Sequence, residues 1–446
     1  MNSLLPPSYL DLPDKFYKEA RPDNVPDPKI VVYNDKLASE LGLDLKDENF
    51  LSGNLILPGT IPVALGYAGH QFGHYTTLGD GRAILLGEHV SPDGKRWDIQ
   101  LKGSGRTFFS RRGDGKATLG PMLREYLISE AMAALGIPTT RCLAVLTTGE
   151  NISRFGMEPG AIVVRVASSH IRIGTFEFAT DSEVEELSDF TISRHYSHLN
   201  NSNDKYIKFL DEIIKRQALL VAHWISVGFI HGVMNTDNVA LSGETIDYGP
   251  CAFMNHYDPA TVYSSIDKNG RYAFGNQPKI MQWNLARLAE TLIPILADDK
   301  NKSVDIANEL INLFPVYFNT ALENKMKIKI GGALDSLKDL YQLMYENKLD
   351  YTNTFANLNP DKPHFNDSNF IEWHRYWSKQ ALTKPINNKV IPRNQHVEQA
   401  LASAAIESDF KLFFDLLKVV QNPFDAPPLK YITSIEPDGF CTYCGT

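Results

Sequence analysis

His231 and Asn238 stand seven residues apart in His231-Gly-Val-Met-Asn-Thr-Asp-Asn238, and nine residues further on comes Asp247-Tyr-Gly-Pro250. An amide oxygen at Asn238 and a carboxylate at Asp247 are donors that a hard divalent cation such as Mg²⁺ takes when it sits on phosphate oxygens. Val239-Ala-Leu reads as a short strand and Ser242-Gly-Glu as a turn, so a hairpin would return the two side chains to one cleft. The carboxylate nearest this pair is Asp237.

A nucleotide phosphate also needs cations and close backbone. Gly79 and Gly81 precede a strand at 82–90, where backbone N–H groups could approach an anion and Arg82 could add charge. Ser91-Pro-Asp-Gly94 is a turn and 97–102 a second strand, so the unit is a hairpin with Lys102 at its end. The loop from Gly103 to Gly115, rich in glycine, arginine and hydroxyl groups, leads to a helix at 118–135, and its Asp114-Gly115 could wrap a nucleotide. Pro121 in the first turn and Gly136-Ile-Pro138 at the end bound that helix. Glu125 and Glu130 are five residues apart and point to different sides, and Glu125 is the expected partner of Lys102. Arg165 interrupts an apolar strand at 161–167, with Arg172 seven residues on. A buried arginine needs an anion, which a salt bridge or a polyphosphate would supply. His70 and His74 are separated by residues that include a glycine and do not share a helical face, so both read as structural.

These residues need a frame of mixed α+β type. Residues 1–60 read as an extended arm with one helix near 35–43, and 181–189 as an acidic linker. A long amphipathic helix at 205–228 ends just before His231, and further helices are expected at 281–296, 303–318, 332–345, 370–382, 397–406 and 409–420. A chain of 446 residues with 43% hydrophobic and 22% charged content can bury a large core. Its formal charge of −9 argues against general nucleic-acid binding. No apolar run approaches a membrane span and no signal sequence opens the chain, so a cytoplasmic protein, expected as a monomer, is the reading. Four cysteines are too few for a disulfide framework. Cys441-Thr-Tyr-Cys444 is expected to be an accessible, redox-active pair or a plain tail.

The spacing of His231, Asn238 and Asp247 resembles the protein-kinase layout, in which a catalytic-loop Asn and a DFG-type Asp hold metals. The departure is Val233, which occupies the place of the kinase substrate-orienting Asp two residues after the His. More specifically, the chain resembles the selenoprotein O family of kinase-like proteins, also called YdiU. The segments that carry this are Tyr67-AGHQFGH-74, Leu78-GDGRAILLGE-88, Leu101-KGSGRTFFSRRGDGKA-117, Arg124-EYLISEAMAALGIPTTR-141, His231-GVMNTDN-238, Ile246-DYGP-250, Gly275-NQP-278 and Cys444-GT-446. The resemblance implies a bilobal kinase-like fold in which ATP lies inverted, so that AMP passes to Ser, Thr or Tyr hydroxyls of protein substrates. It implies ATP contacts from Gly79, Gly81, Arg82, Lys102, Asp114, Gly115, Arg165, Arg172 and Asp247. Glu125 would orient Lys102, Asp237 would accept the proton, and Asn238 and Asp247 would bind Mg²⁺ or Mn²⁺. Family members often carry a selenocysteine or cysteine near the C-terminus, a place that Cys444 takes here, with Cys441 as an additional thiol. On this reading 1–65 is an N-terminal extension, 66–180 a nucleotide-binding small lobe, 181–300 a large lobe with the catalytic loop, and 301–446 a helical C-terminal part. A conventional kinase using Asp237 and a nucleotide-binding pseudokinase scaffold are the competing readings.

Overall fold

Side-chain alternation along residues 96–102 sets the architecture. Successive residues of a strand face opposite sides of the sheet. Here Asp98, Gln100 and Lys102 fall on one side, and Ile99 and Leu101 on the other. All five are buried, so both faces of this strand must be covered, one by polar partners and one by apolar packing.

The computed structural model describes residues 4–154, 156–435 and 440–442. Its strands are β1 (Tyr17–Glu19), β2 (Lys29–Tyr33), β3 (Val63–Leu65), β4 (Ala68–Gln71), β5 (His74–Thr77), β6 (Ala83–Val90), β7 (Arg96–Lys102), β8 (Ala117–Thr118), β9 (Arg141–Ser153), β10 (Met157–Ala167), β11 (Phe229–Ile230) and β12 (Ala252–Phe253). The α-helices are α1 (Asp35–Leu41), α2 (Glu48–Ser52), α3 (Leu119–Ala134), α4 (Ile173–Phe178), α5 (Val184–His195), α6 (Lys205–Val227), α7 (Gln277–Leu296), α8 (Lys300–Lys329), α9 (Leu337–Glu346), α10 (Tyr351–Ala356), α11 (Ser368–Gln380), α12 (Asn394–Ile406) and α13 (Lys411–Val420). The fold is α+β. An eight-stranded sheet runs β1-β3-β6-β7-β10-β9-β2, with β8 added to β10, and all its pairings are antiparallel. No described helix is long and apolar enough to cross a membrane.

The N-terminal segment is more than an arm. Its β1, β2 and β3 are strands of the main sheet, and α1 and α2 cover the apolar face. Leu37, Leu41 and Phe50 pack there with Ile99, Leu101, Ile162 and Val164. Strands of three to five residues leave too short a pattern to read, and their pairing is fixed by distant partners such as Ile30 on Leu146. On the opposite face α3 packs with β9 and β10 and merges into the large core built around α6, α7 and α8.

Three further expectations change. The acidic stretch near 185 is helical: Val184, Leu187, Ser188, Thr191 and Ile192 of α5 are buried, while Glu185 and Glu186 sit in its first turn, where the helix dipole favours acids. Residues 239–244 form no hairpin, because each side bridges elsewhere, Ala240 to Arg172 and Thr245 to Thr139. The helix expected at 303–318 runs on to Lys329 with Pro315 inside it, and α10 was not foreseen.

Lys329, at the end of α8, is buried with its ammonium 4.8 Å from the Phe355 ring centre. Burial pushes its pKa down to about 7. An unfolded lysine titrates near ~10.4, so between these values the unfolded chain binds the extra proton and stability rises with pH. Replacing Lys329 with Met is expected to raise the melting temperature clearly below pH ~7, where the penalty is full, and to lose that advantage by pH ~10. Thermal melts across this range check it.

Candidate nucleotide site

A cavity of about 450 Å³ opens where β6, β7 and β10 meet the segment from Val233 to Pro250. Gly79, Gly81, Arg82, Lys102, Asp114, Gly115, Arg165, Arg172, Asp237, Asn238 and Asp247 all line it. Glu125 stands behind this wall. Residues from widely separated stretches of sequence therefore converge on one volume.

A buried charge cluster forms the inner wall. Lys102 Nζ lies 2.7 Å from Glu125 Oε2 and 2.8 Å from Asp247 Oδ1. Arg165, the register partner of Gln100, donates to Glu125 Oε1, to Asp247 Oδ1 at 2.7 Å and to Gln100 at 3.2 Å. Glu130, on the other side of α3, takes Arg141 instead. Arg172 lies 3.7 Å from Asp80 and 3.9 Å from Asp247, with its guanidinium 4.4 Å over the Tyr67 ring. Its Nε is buried without a hydrogen-bond partner. Burial alone would raise the Asp247 carboxyl, but Arg165, Lys102 and Arg172 hold it well below the usual carboxylate range. Burial acts against Glu125 in the same way, and Arg165 and Lys102 keep its pKa low. Both carboxylates are charged at neutral pH.

Asp237 faces a different environment. It sits in a single 3₁₀ turn, Thr236–Asn238, with one carboxylate oxygen buried and unpartnered. Burial, opposed in part by Arg172, pushes its pKa up to about 6, as suits a proton acceptor. The turn is fixed from several sides. Thr236 Oγ1 accepts from the His70 amide at 2.7 Å and donates to Glu177, and Glu177 also bonds the His70 ring. Asn235 Oδ1 accepts from the Phe72 amide and from Tyr272 Oη. His231 Nε2 is bonded to the Ile246 carbonyl, which ties the turn to the Asp247 segment. His70 thus serves the structure, and His74 is exposed on β5.

For a metal, Asn238 spends its amide nitrogen on the Val233 carbonyl at 2.9 Å, which leaves its oxygen available. Among the described residues no group of three or more His, Cys, Asp or Glu gathers to hold a metal. Two protein oxygens, from Asn238 and Asp247, fit a cation such as Mg²⁺ that takes its other ligands from phosphates and water.

Some residues escaped the sequence reading. Arg154, at the tip of the β9–β10 hairpin, grips Asp114 with bonds of 2.9 and 2.8 Å and lines the cavity. Asp80 accepts from Gln100, Tyr67 and the Leu65 amide, an anchor hidden between two candidate glycines. The reason for Gly79 also changes. A Cβ there would lie 2.3 Å from the Phe109 ring, and its φ is +141°, so the loop at 103–115 packs where a side chain would stand. Gly69 is the clearest omission: a Cβ on it would lie 2.3 Å from Asp237 Oδ1. Nothing in the local sequence marks that approach, which spans 168 positions of chain.

Near the C-terminus, Thr442 is buried, donates to the Pro250 carbonyl at 2.8 Å and pairs with Ser264. Cys441 is half-buried, so the expectation of a tail with little around it does not hold for 440–442, and Cys444 lies outside the described residues. Cys251 is fully buried, which pushes its thiol up to about 12.

A family model described as protein adenylyltransferase SelO matches residues 2–375. The chain is 49% identical to protein nucleotidyltransferase YdiU of Halalkalibacterium halodurans, over 98% of this chain and 96% of that protein. It is 50% identical to the YdiU of Clostridium botulinum over 98% and 97% of the two chains, and 49% identical to that of Lachnoclostridium phytofermentans over 100% and 99%. The protein is therefore an enzyme of the nucleotidyltransferase class. It belongs to the SelO protein adenylyltransferase family.

Gly69→Ala is expected to displace Asp237 while leaving the charge cluster intact. Transfer should fall about 100-fold, the effect of a misplacement near 1 Å, with nucleotide affinity kept. Single-turnover transfer set beside calorimetric titration of ATP checks it; an equal loss of both would show a general disruption.

Proposed function

We propose that the cavity binds ATP in a kinase-like bilobal frame, with the terminal phosphates inward, and transfers AMP to Ser, Thr or Tyr hydroxyls of other proteins. The observation that carries this is the placement of charge. Lys102, Arg165 and Arg172 stand together on the inner wall, gathered around Asp247. A kinase presents the γ-phosphoryl to its catalytic loop. With three cations clamping the terminal phosphates inside, the α-phosphorus is the one left toward Asp237.

The acceptor oxygen then bonds to the α-phosphorus as the bond from that phosphorus to the bridging oxygen breaks. Pyrophosphate leaves with the electron pair, and Asp237 takes the hydroxyl proton. Lys102, Arg165 and Arg172 stabilise the charge that develops on the leaving group, an electrostatic role that low-dielectric burial strengthens. Glu125 keeps Lys102 and Arg165 in place. Mg²⁺ or Mn²⁺ on Asn238 and Asp247 would supply Lewis-acid neutralisation of the phosphate oxygens. Gly79, Gly81, Arg82, Asp114 and Gly115 form the remaining wall around the nucleotide, with Arg154 fixing Asp114. Val233 on the cavity wall leaves Asp237 as the carboxylate of the turn, which also supports this assignment.

ATP labelled at the α-phosphate is expected to mark acceptor proteins, and γ-labelled ATP is not. Label arriving only from the γ-position would establish a kinase instead, and ATP binding without any turnover a pseudokinase. Asp247→Ala should abolish metal-dependent ATP binding, which isothermal titration with and without Mg²⁺ measures. Unchanged affinity and metal dependence would move the metal site elsewhere.

A further inference from the structure

Among the described residues, one cation near the Asp237 turn, Arg271, has no carboxylate paired with its side chain. Arg271 lies in the segment between Asp247 and α7, where its backbone N–H donates to Asp267 Oδ1 at 2.9 Å and the next amide donates to Oδ2. The next residue, Tyr272, is the one bonded to Asn235, two residues before Asp237. The Arg271 guanidinium packs against Gly73, in the turn of the β4–β5 hairpin, where a Cβ would stand 3.7 Å away. The neighbouring Phe72 and Gln71 line the nucleotide cavity.

The same guanidinium lies 4.8 Å over the Trp283 ring, with Arg287 5.0 Å from that ring and the His70 ring centre 5.4 Å from it in an edge-to-face arrangement. The other charges here are matched: Arg287 pairs with Glu290 at 2.6 Å, and His70 with Glu177. Among the described residues no carboxylate pairs with the Arg271 guanidinium, and its Nε is buried without a hydrogen-bond partner. The Arg271 side chain also hydrogen-bonds the Tyr272 side chain; stacking on an indole fixes the guanidinium plane, and the remaining terminal N–H groups are left for a carboxylate. On a chain of formal charge −9, such a cation concentrates positive potential at one point of the rim.

We propose that Arg271, held by Trp283 and Gly73, docks an acidic side chain of the acceptor protein close to the hydroxyl that is modified. This rests on the reading of the cleft as a protein nucleotidyltransferase site and adds to it a preference for acceptors with Asp or Glu near the modified residue. The ion pair forms at the half-buried rim, where it contributes to acceptor affinity and to excluding basic acceptors.

The test uses the full-length enzyme, α-labelled ATP and three matched serine peptides carrying glutamates, alanines or lysines around the serine. Wild type is expected to favour the glutamate over the lysine peptide in kcat/KM. Arg271→Ala should raise KM for the glutamate peptide about fivefold with kcat kept, and Arg271→Glu should reverse the order. Arg271→Lys, which keeps the charge, should retain the preference, and calorimetric ATP affinity should be the same in all variants, which separates docking from a folding defect. An unchanged glutamate-to-lysine ratio in Arg271→Glu would overturn the docking role while leaving nucleotidyl transfer standing. Absence of α-label on every peptide and protein with wild type would overturn the underlying reading, and the docking role with it.

Discussion

The structure depends on three cations and three carboxylates gathered together: buried Lys102, Arg165, Arg172, Glu125 and Asp80 with half-buried Asp247. Removing any of these charges from water is costly, and a buried ion is tolerated only where partners and hydrogen bonds compensate it. Each partner comes from a different part of the chain: β7, β10, α3, the residue that precedes α4, the segment before β6 and the segment after Ile246. The cluster therefore works only when sheet, helix and loop are all in place. Breaking one buried pair leaves its partner uncompensated, at a cost of roughly 3–5 kcal/mol. Such a cluster suits an anionic substrate, because phosphate oxygens can take over from carboxylates without leaving a cation bare.

The same strand face continues the polar layer away from the cavity. Asp98, two positions further from the site than Gln100, bonds the His170 ring and Tyr9 and pairs with Arg194 at 2.7 Å. Glu88 on β6 joins Arg194 and Arg96. Burial, together with nearby Arg165 and Arg172, lowers the His170 pKa despite its Asp98 partner. This face of the sheet thus carries a polar seam along β6 and β7 that joins the N-terminal segment, the strands and α5, beside apolar side chains such as Val145 and Val163 that pack in the core with α3. Its opposite face is apolar and closed by α1 and α2. The polar seam orients the sheet on the helical body, and the apolar face supplies hydrophobic stabilisation.

Precision at the turn around Asp237 comes from backbone-directed side chains. Gln277 accepts from the His231 amide and donates to the Phe229 carbonyl, and Asn284 donates to the Met234 carbonyl. These two residues lie on α7, so the large helical core is tied to the backbone that leads into the Asp237 turn. The β4–β5 hairpin closes the other side, with Gly69 and Gly174 giving the room. Ala68, Asp237 and Gly174 come so close that a Cβ on Gly174 would stand 2.0 Å from the Ala68 carbonyl.

The linear order of residues by itself determined the parts of this protein with strong local physics. The hairpin of β6 and β7, helix α3 with its proline start and glycine stop, and the long α6 ending at Gly228 follow from side-chain period and turn chemistry within a few residues. Lys102 was legible because a charged side chain at the end of an apolar strand has few uses other than a polar site, and Glu125, Asn238 and Asp247 through their spacing within motifs. Tertiary structure alone decided what depends on distant partners. It made sheet edges of β1 and β2, bridged the two sides of 239–244 to Arg172 and Thr139, and brought Arg154 to Asp114 and Gly69 to Asp237. It also stacked Arg271 on Trp283. In each of these the energy lies in a contact between segments far apart in the chain, and neither segment carries a local pattern that announces the other.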